Sequence, residues 1–360
     1  MTNDLNQDQR MHRICSSLAD AGWNVTLVGR MKKKSTPLLA MPFTQKRMNC
    51  LFEKGPAFYL EYNLRLWIYL LRIAKGTKVV YSVDTDTVLA CSMAARITGK
   101  PLVYDAHEYF TETPELIRRP LVKAIWAMIE RISLPYAALC ITVSQSLADI
   151  LGQLAGKKFH TILNVPTKDT SGYDDHKQSG KPYILYQGMV NEGRGLENMI
   201  RALPSIPDTD LVIAGDGDIM DTIRQLAASG PASDRVILAG WQTPDQLKAL
   251  TRDASLGLNL LESHSKSYYY SLANKYFDYM HAGVPCLSMD FPEYRRINDE
   301  YQTGILIQST DPTLIADKVN SLFANPGTLN LIKKNCRKAS EIFCWDREKI
   351  KLVELVDGLL

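Results

Sequence analysis

The sequence predicts an α/β protein made of two doubly wound, parallel-sheet domains, and three observations carry that prediction. Short apolar runs alternate with longer amphipathic ones along most of the chain, the signature of a parallel sheet wrapped by helices. A polar, aperiodic stretch at residues 168–181 (KDTSGYDDHKQSGK) divides that alternation in two. The 360 residues also exceed the roughly 100–200 that one core usually organises, so two domains facing a cleft are expected.

Taken in order, residues 25–29, 78–83, 102–105, 139–143 and 161–163 read as short buried strands. Helical patterns at 10–21, 58–74, 87–98, 121–134 and 145–154 separate them. The second series has strands at 183–187, 211–214, 236–238, 256–260, 285–289 and 304–307, again with helices between. The tail from Pro326 is helical in pattern and has no strand of its own. The expected division is therefore a domain at 1–167, a linker at 168–181, a second domain at 182–338 and a C-terminal helix at 339–360 placed to pack back on the first. A sheet of this kind normally opens with a strand, yet the first helical pattern follows only nine mostly polar residues. Either that strand is absent, as a misplaced start would leave it, or the count of strands is wrong.

Composition narrows the function classes. Hydrophobic residues at 46% and charged residues at 22% suit a soluble globular protein and exclude a disordered or fibrous one. A net charge of +3 is too small to point to nucleic acid, and Lys32-Lys33-Lys34 and Arg118-Arg119 are local basic spots, read as solvated loops or as contacts for an anionic membrane surface. No run approaches the ~20 apolar residues that cross a bilayer, and the polar N-terminus is no signal peptide. Seven cysteines stand singly, without metal-ligand or disulfide spacing, which fits a reducing cytoplasm.

In open α/β sheets ligands bind beyond the carboxyl ends of strands, where loops feed helix N-termini. Gly188 ends one strand, and Asn191-Glu192-Gly193-Arg194-Gly195 precedes the next helix; Arg194 can fork two hydrogen bonds to a phosphate, or be a solvated turn residue. Ala214-Gly215-Asp216-Gly217-Asp218 lacks the third glycine of a dinucleotide fingerprint, and Asp218 reads as a helix cap. In SLANKYFDYMHAGVP a helix opens with Asn274-Lys275, placing an ammonium at the positive end of a helix dipole, and Asp278 lies on the same face. Phosphate and ribose recognition is one reading of the Lys275 and Asp278 pair; a surface ion pair is the other. In the first half, Asp105-Ala106-His107-Glu108 follows a strand directly, either as a capped turn or as a site lining.

Together, Asp105-x-His107-Glu108, Asn164-Val165-Pro166, Gly188 with Arg194-Gly195, Ala214-Gly215-Asp216-Gly217 and Asn274-Lys275-x-Phe277-Asp278-Tyr279-Met280-x-Ala282-Gly283-x-Pro285 resemble the GT-B glycosyltransferases of family four. The resemblance covers nearly the whole chain, and its most specific part is the last motif. It implies two Rossmann-like halves, a nucleotide-diphosphate sugar as co-substrate held by the second half, a hydroxyl acceptor held by the first, and transfer with retention. No cofactor or dedicated metal is implied. Residue by residue, it gives Arg194 and Lys275 to the diphosphate, Asp278 to the ribose and His107 to the donor sugar near the reacting centre. Gly188, Gly195, Gly215 and Asn274 complete the donor set, and Asp105, Glu108, Glu262 and Tyr270 are candidates for acceptor or sugar contacts. The chain departs from the family pattern at Tyr270 and Asp278, where two glutamates eight residues apart are common, and at Met189, where many members have arginine. Synthesis of surface polysaccharide or glycolipid is the setting the family suggests, with a lipid-linked acceptor and peripheral contact with the cytoplasmic membrane face. The helical stripe of Leu121, Ile125, Trp126 and Ile129 is read as core or as that contact. A nucleotide-sugar epimerase of the same architecture and a non-catalytic partner of another transferase are the rival readings.

Overall fold

The computed structural model describes residues 1–168 and 180–360, so most of the expected linker, residues 169–179, lies outside the described residues. The chain forms two compact units, Met1–Asn164 with Trp345–Leu360, and Val165–Cys344.

In the first unit β1 (Thr26–Arg30) and β2 (Thr44–Met48) form a parallel pair, and β3 (Val80–Val83), β4 (Leu102–Ala106), β5 (Ala137–Thr142) and β6 (Phe159–Thr161) form a parallel sheet in that order. The helices are α1 (Gln9–Asp20), α2 (Gly55–Ile73), α3 (Thr85–Thr98), α4 (Pro114–Ile117), α5 (Pro120–Ser133) and α6 (Gln145–Ala155). Strand β2 escapes the sequence reading because TQKRM carries four polar residues that stay partly or fully exposed, the chemistry of a sheet edge, and only Met48 is buried. Among the described residues no strand precedes β1. Instead the Met1 amino group donates to Val28 O at 3.0 Å and Arg30 N–H to Asn3 O at 3.1 Å, so the first residues run beside β1.

The second unit holds one six-stranded parallel sheet in the order β12-β11-β10-β7-β8-β9. Its strands are β7 (Tyr183–Gln187), β8 (Asp210–Ala214), β9 (Val236–Gly240), β10 (Leu256–Asn259), β11 (Cys286–Met289) and β12 (Gly304–Ile307). Its helices are α7 (Leu196–Ala202), α8 (Met220–Ser229), α9 (Pro244–Asp253), α10 (Lys266–Tyr269), α11 (Asn274–His281), α12 (Pro292–Tyr301), α13 (Pro312–Phe323) and α14 (Pro326–Ser340). Local chemistry fixes these boundaries: Thr243 and Gln246 close a capping box on α9, with Pro244 at the first helical position. Asp311 accepts from the Thr313 and Leu314 amides at the head of α13. Asp218 does not do the same for α8, whose N-cap is Ile219; the Asp218 amide instead donates to Asn191 Oδ1 at 3.3 Å. The expected cap fails because the turn after β8 is one residue longer than a cap at 218 requires.

The helical tail is two helices, and the second, α15 (Trp345–Asp357), belongs to the first unit. Trp345 Nε1 donates to Ser17 Oγ at 2.9 Å, Trp23 Nε1 to Asp357 Oδ1 at 2.8 Å, and the Leu163 amide to Glu348 Oε2 at 2.9 Å. The Trp345 and Leu163 bonds satisfy buried polar groups that apolar packing alone would leave unmet, while the Trp23 bond is exposed.

The sheet order in the second unit reverses between β7 and β10, so the loops after those strands flank a topological switch point. The loop after β7 also meets the loop after β8 very closely. Gly215 has φ +152°, and a Cβ there would stand 1.9 Å from the Gly188 carbonyl oxygen. Gly215→Ala is therefore expected to destabilise the protein by about 2–4 kcal/mol, read as a lower urea midpoint. An unchanged midpoint would show that this approach is not a constraint.

Candidate functional site

In the second unit the polar residues singled out in the sequence converge beyond the carboxyl ends of β7 and β10. Gly188 follows β7, and Arg194 sits just before Gly195, whose left-handed φ of +68° ends the loop and starts α7. Gly195 must be bare because a Cβ there would lie 2.6 Å from Leu260, the residue after β10. The loop after β10 is tied to the same place by the Glu262 amide, which donates to Gly193 O at 3.0 Å. The Arg194 guanidinium lies over the Tyr268 ring at 4.7 Å.

Lys275, at the second position of α11, turns inward while its neighbour Asn274 is exposed. Its ammonium lies over the Tyr186 ring, 3.7 Å from the centroid, and 3.6 Å from where a Gly188 Cβ would be. Burial first, and then the positive charge of Arg194, hold its pKa well below that of an ordinary lysine. Among the described residues neither cation forms a salt bridge, and the buried Arg194 Nε has no hydrogen-bond partner. Aromatic faces stabilise both, but cation–π contact contributes only about 0.5–2 kcal/mol each and carries no countercharge. Two half-hidden cations on each other's field, beside a helix N-terminus and glycine backbone, form a place for an anion.

Asp278, one turn along α11, accepts from Gln187 Nε2 at 3.0 Å, and Thr251 Oγ1 holds the other end of that amide by donating to Gln187 Oε1 at 2.7 Å. The carboxylate is thus fixed at the end of β7, near the cations without being spent on them. Glu262 pairs with His264, with 3.3 Å between Oε2 and Nδ1, and Tyr270 ends α10 with its ring edge-on to Tyr269. Tyr186, Tyr268, Gln187 and Thr251 were not singled out in the sequence; a tyrosine or glutamine inside a buried strand gives no signal that it supports a charge.

The first unit has its own polar cluster at the ends of β3 and β4. Asp105 is fully buried within β4 and is bound by Arg10 through two bonds, Nε to Oδ2 at 3.2 Å and Nη2 to Oδ1 at 2.9 Å, and by the Tyr81 hydroxyl at 2.9 Å. Burial alone would raise its pKa, but Arg10 and His107 outweigh it and hold the carboxyl well below the usual range. Asp105 is therefore neither a turn cap nor able to touch an acceptor; it anchors the residues around it. Glu108 is exposed.

His107 stands between two carboxylates, with Nε2 3.2 Å from Asp105 Oδ2 and Nδ1 3.6 Å from Asp84 Oδ2. Burial disfavours the imidazolium, yet Asp84 and Asp105 together raise its pKa to about 9. Asp84, directly after β3, also accepts from the His107 amide at 2.7 Å. Its φ of 55° with ψ of 175° is a strained conformation for a residue with a Cβ, costing about 1–3 kcal/mol. Asp84 and Arg10 were passed over in the sequence. The rule that led to Asp105 and His107, polar residues directly after a buried strand, applies equally to Asp84 in VYSVDTD. No such rule reaches Arg10, which reads as the solvent face of an amphipathic helix. Among the described residues no three His, Cys, Asp or Glu side chains gather as metal ligands would.

Comparison with known proteins covers both units. A family profile described as Glycosyltransferase Family 4 matches residues 7–165, and one described as Glycosyl transferases group 1 matches residues 173–339. The alpha-D-kanosaminyltransferase of Streptomyces kanamyceticus is 23% identical over 65% of this chain and 64% of its own. The GDP-mannose:cellobiosyl-diphosphopolyprenol alpha-mannosyltransferase of Xanthomonas oryzae is 26% identical over 62% of this chain and 58% of its own. The chain spans less than two thirds of the length of the curated relatives it matches. Among solved structures, that of Anabaena Alr3699/HepE in complex with UDP superposes with a TM-score of 0.76 at 13% identity, over 97% of this chain and 95% of its own, which gives the fold.

Replacing Lys275, the buried member of two mutually repelling cations, should not harm the ligand-free protein. Lys275→Met is expected to keep or raise the melting temperature without ligand, while abolishing the further rise that inorganic pyrophosphate gives the parent. In the first unit, the His107 ring is expected to titrate by NMR at about 9, and Asp84→Asn to move that midpoint down. Because the folded value exceeds the reference 6.5, the stability from protonated His107 is complete below about 6.5 and lost as pH rises through about 9. A midpoint near 6.5 in the parent would contradict the two-carboxylate clamp.

Proposed function

The chain is a GT-B glycosyltransferase of the family-four kind, and from that premise we propose that it moves a sugar from a nucleotide-diphosphate donor to a hydroxyl acceptor with retention of configuration. The observation that carries this reading is the Arg194 and Lys275 pair, two unneutralised cations beside the start of α11. A diphosphate supplies the missing negative charge in the ground state. As the bond between the sugar C1 and the β-phosphate oxygen breaks, charge grows on that oxygen, and preorganised cations stabilise the transition state more than the substrate. The acceptor oxygen forms the new bond to C1 on the face the phosphate leaves, and its proton passes to the departing diphosphate. Asp278, held by Gln187, is assigned to the ribose hydroxyls. His107, held as an imidazolium by Asp84 and Asp105, is assigned to the donor sugar on the strength of its place in the family motif. No cofactor enters this scheme.

The acceptor is proposed to belong to polysaccharide or glycolipid assembly, carried on a lipid at the cytoplasmic membrane face. The Xanthomonas relative, named for an acceptor on diphosphopolyprenol, supports that extension. Among the described residues no helix is long and apolar enough to cross a membrane, so contact would be peripheral.

A thermal-shift panel of nucleoside mono- and diphosphates and their sugars tests the reading. At least one diphosphate should raise the melting temperature clearly more than its monophosphate, and Lys275→Ala should cut both that shift and sugar transfer at least tenfold. Equal shifts for mono- and diphosphates, or transfer within a few fold of the parent in Lys275→Ala, would sink it.

A further inference from the structure

The two cations of the second unit rest on separate short elements, so their spacing depends on how those elements are joined. Arg194 lies over the ring of Tyr268, which belongs to the four-residue helix α10, and Lys275 rides on the first turn of α11. Residues 270–273 connect the two helices. That connection has little of its own to hold it. The N-cap of α11 is Ala273, which has no side-chain oxygen to offer the orphan amides of the helix start.

A tyrosine from α12 supplies the missing tie. Tyr294, at the third position of that helix, is completely buried, and its hydroxyl oxygen accepts from the Ala273 amide at 3.0 Å. The side chains of Ser271 and of Asn259, the last residue of β10, hydrogen-bond to the same hydroxyl. Burial raises the pKa of that hydroxyl against these three bonds, so it stays neutral near physiological pH. Ser271 passes the tie onward, donating to the Tyr268 carbonyl from its amide at 3.2 Å and from its hydroxyl at 2.8 Å. One buried hydroxyl is thus linked to Lys275 through Ala273, to Arg194 through Ser271 and Tyr268, and to the sheet through Asn259.

Packing alone does not call for that oxygen. The Tyr294 ring is seated against the Tyr276 ring at 5.1 Å, a contact that phenylalanine would keep. A buried hydroxyl costs stability unless it is hydrogen-bonded, and here every bond runs to the connection between α10 and α11 or to the end of β10.

We propose that Tyr294 is a positioning residue for sugar transfer, its hydroxyl fixing residues 270–273 so that Arg194 and Lys275 meet one diphosphate at a set separation. The inference rests on the reading of those cations as diphosphate ligands and adds the residue that spaces them. Being fully buried, Tyr294 acts only through Ala273 and Ser271. A single phosphate can settle on one cation, whereas a diphosphate needs both, so a loss of spacing falls selectively on the diphosphate.

Calorimetry with inorganic pyrophosphate and inorganic phosphate tests this on the full chain. Tyr294→Phe, which removes the oxygen and keeps the ring, should weaken pyrophosphate binding about tenfold or more and leave phosphate within about twofold. Tyr276→Phe is the matched control, because it removes a buried hydroxyl that bonds Thr303 Oγ1 at 2.8 Å and not the connection. It should leave pyrophosphate binding within about twofold, even where the melting temperature falls as far as in Tyr294→Phe. Without ligand, the Lys275 Cε resonance should titrate at higher pH in Tyr294→Phe than in the parent, as the start of α11 relaxes away from burial and from Arg194. Should Tyr294→Phe fail to fold, Ser271→Ala cuts the link to Tyr268 alone and should weaken pyrophosphate selectively in the same way. Equal losses for both anions, equal effects of the two tyrosine variants, or pyrophosphate binding unchanged in Tyr294→Phe would each overturn the assignment. A parent that binds pyrophosphate no better than phosphate defeats the diphosphate reading itself, whereas a parent that prefers pyrophosphate and a Tyr294→Phe variant that prefers it equally defeat this inference alone.

Discussion

Two positive charges that repel each other organise the second unit. The Arg194 guanidinium and the Lys275 ammonium lie within each other's field, resting on Tyr268 and Tyr186 and lacking an ion-pair partner among the described residues. A fold that only needed stability would place a carboxylate there or exchange a cation for an apolar side chain, which is often neutral or stabilising. The rest of the unit holds the pair in position. The close contact of Gly188 with Gly215 and that of Gly195 with Leu260 bring the loops after β7, β8 and β10 together. Asp278, the nearest acid on α11, is tethered to Gln187.

The first unit solves the opposite problem. Its cation, His107, is over-supplied with negative charge, set between Asp84 and Asp105 while Arg10 neutralises Asp105 from the other side. The strained backbone at Asp84 places its carboxylate to accept from the residue 107 amide and to face the ring at 3.6 Å as a charge contact. Such an arrangement fixes both the orientation and the charge of an imidazole near neutral pH. One unit presents cations awaiting an anion, the other a cation already balanced.

Much of this was legible in the sequence because it follows from periodicity. Buried parallel strands read as apolar runs, and eleven of the twelve strands fall within two residues of the expected positions. The twelfth, β2, is a polar sheet edge whose existence depends on a neighbour. Arg194, Lys275 and Asp278 were legible because they follow strands at the end where ligands bind. What was not legible depends on which way a side chain turns. Asp105 looked like a site residue and is a buried anchor; the stripe of Leu121, Ile125, Trp126 and Ile129, open between core and surface, splits, with Trp126 buried and Leu121 and Ile125 exposed. Asp84 and Arg10 matter through contacts across 23 and 95 residues, which no local pattern encodes.

The central claim is that the Arg194 and Lys275 cations, brought together without an ion-pair partner among the described residues, receive a diphosphate. Calorimetry of nucleoside diphosphate binding over a pH series measures this most directly. The account predicts binding that weakens as alkali removes the Lys275 proton, and at least tenfold weaker binding without that pH step in Lys275→Met. Affinity in that variant within a few fold of the parent would contradict it.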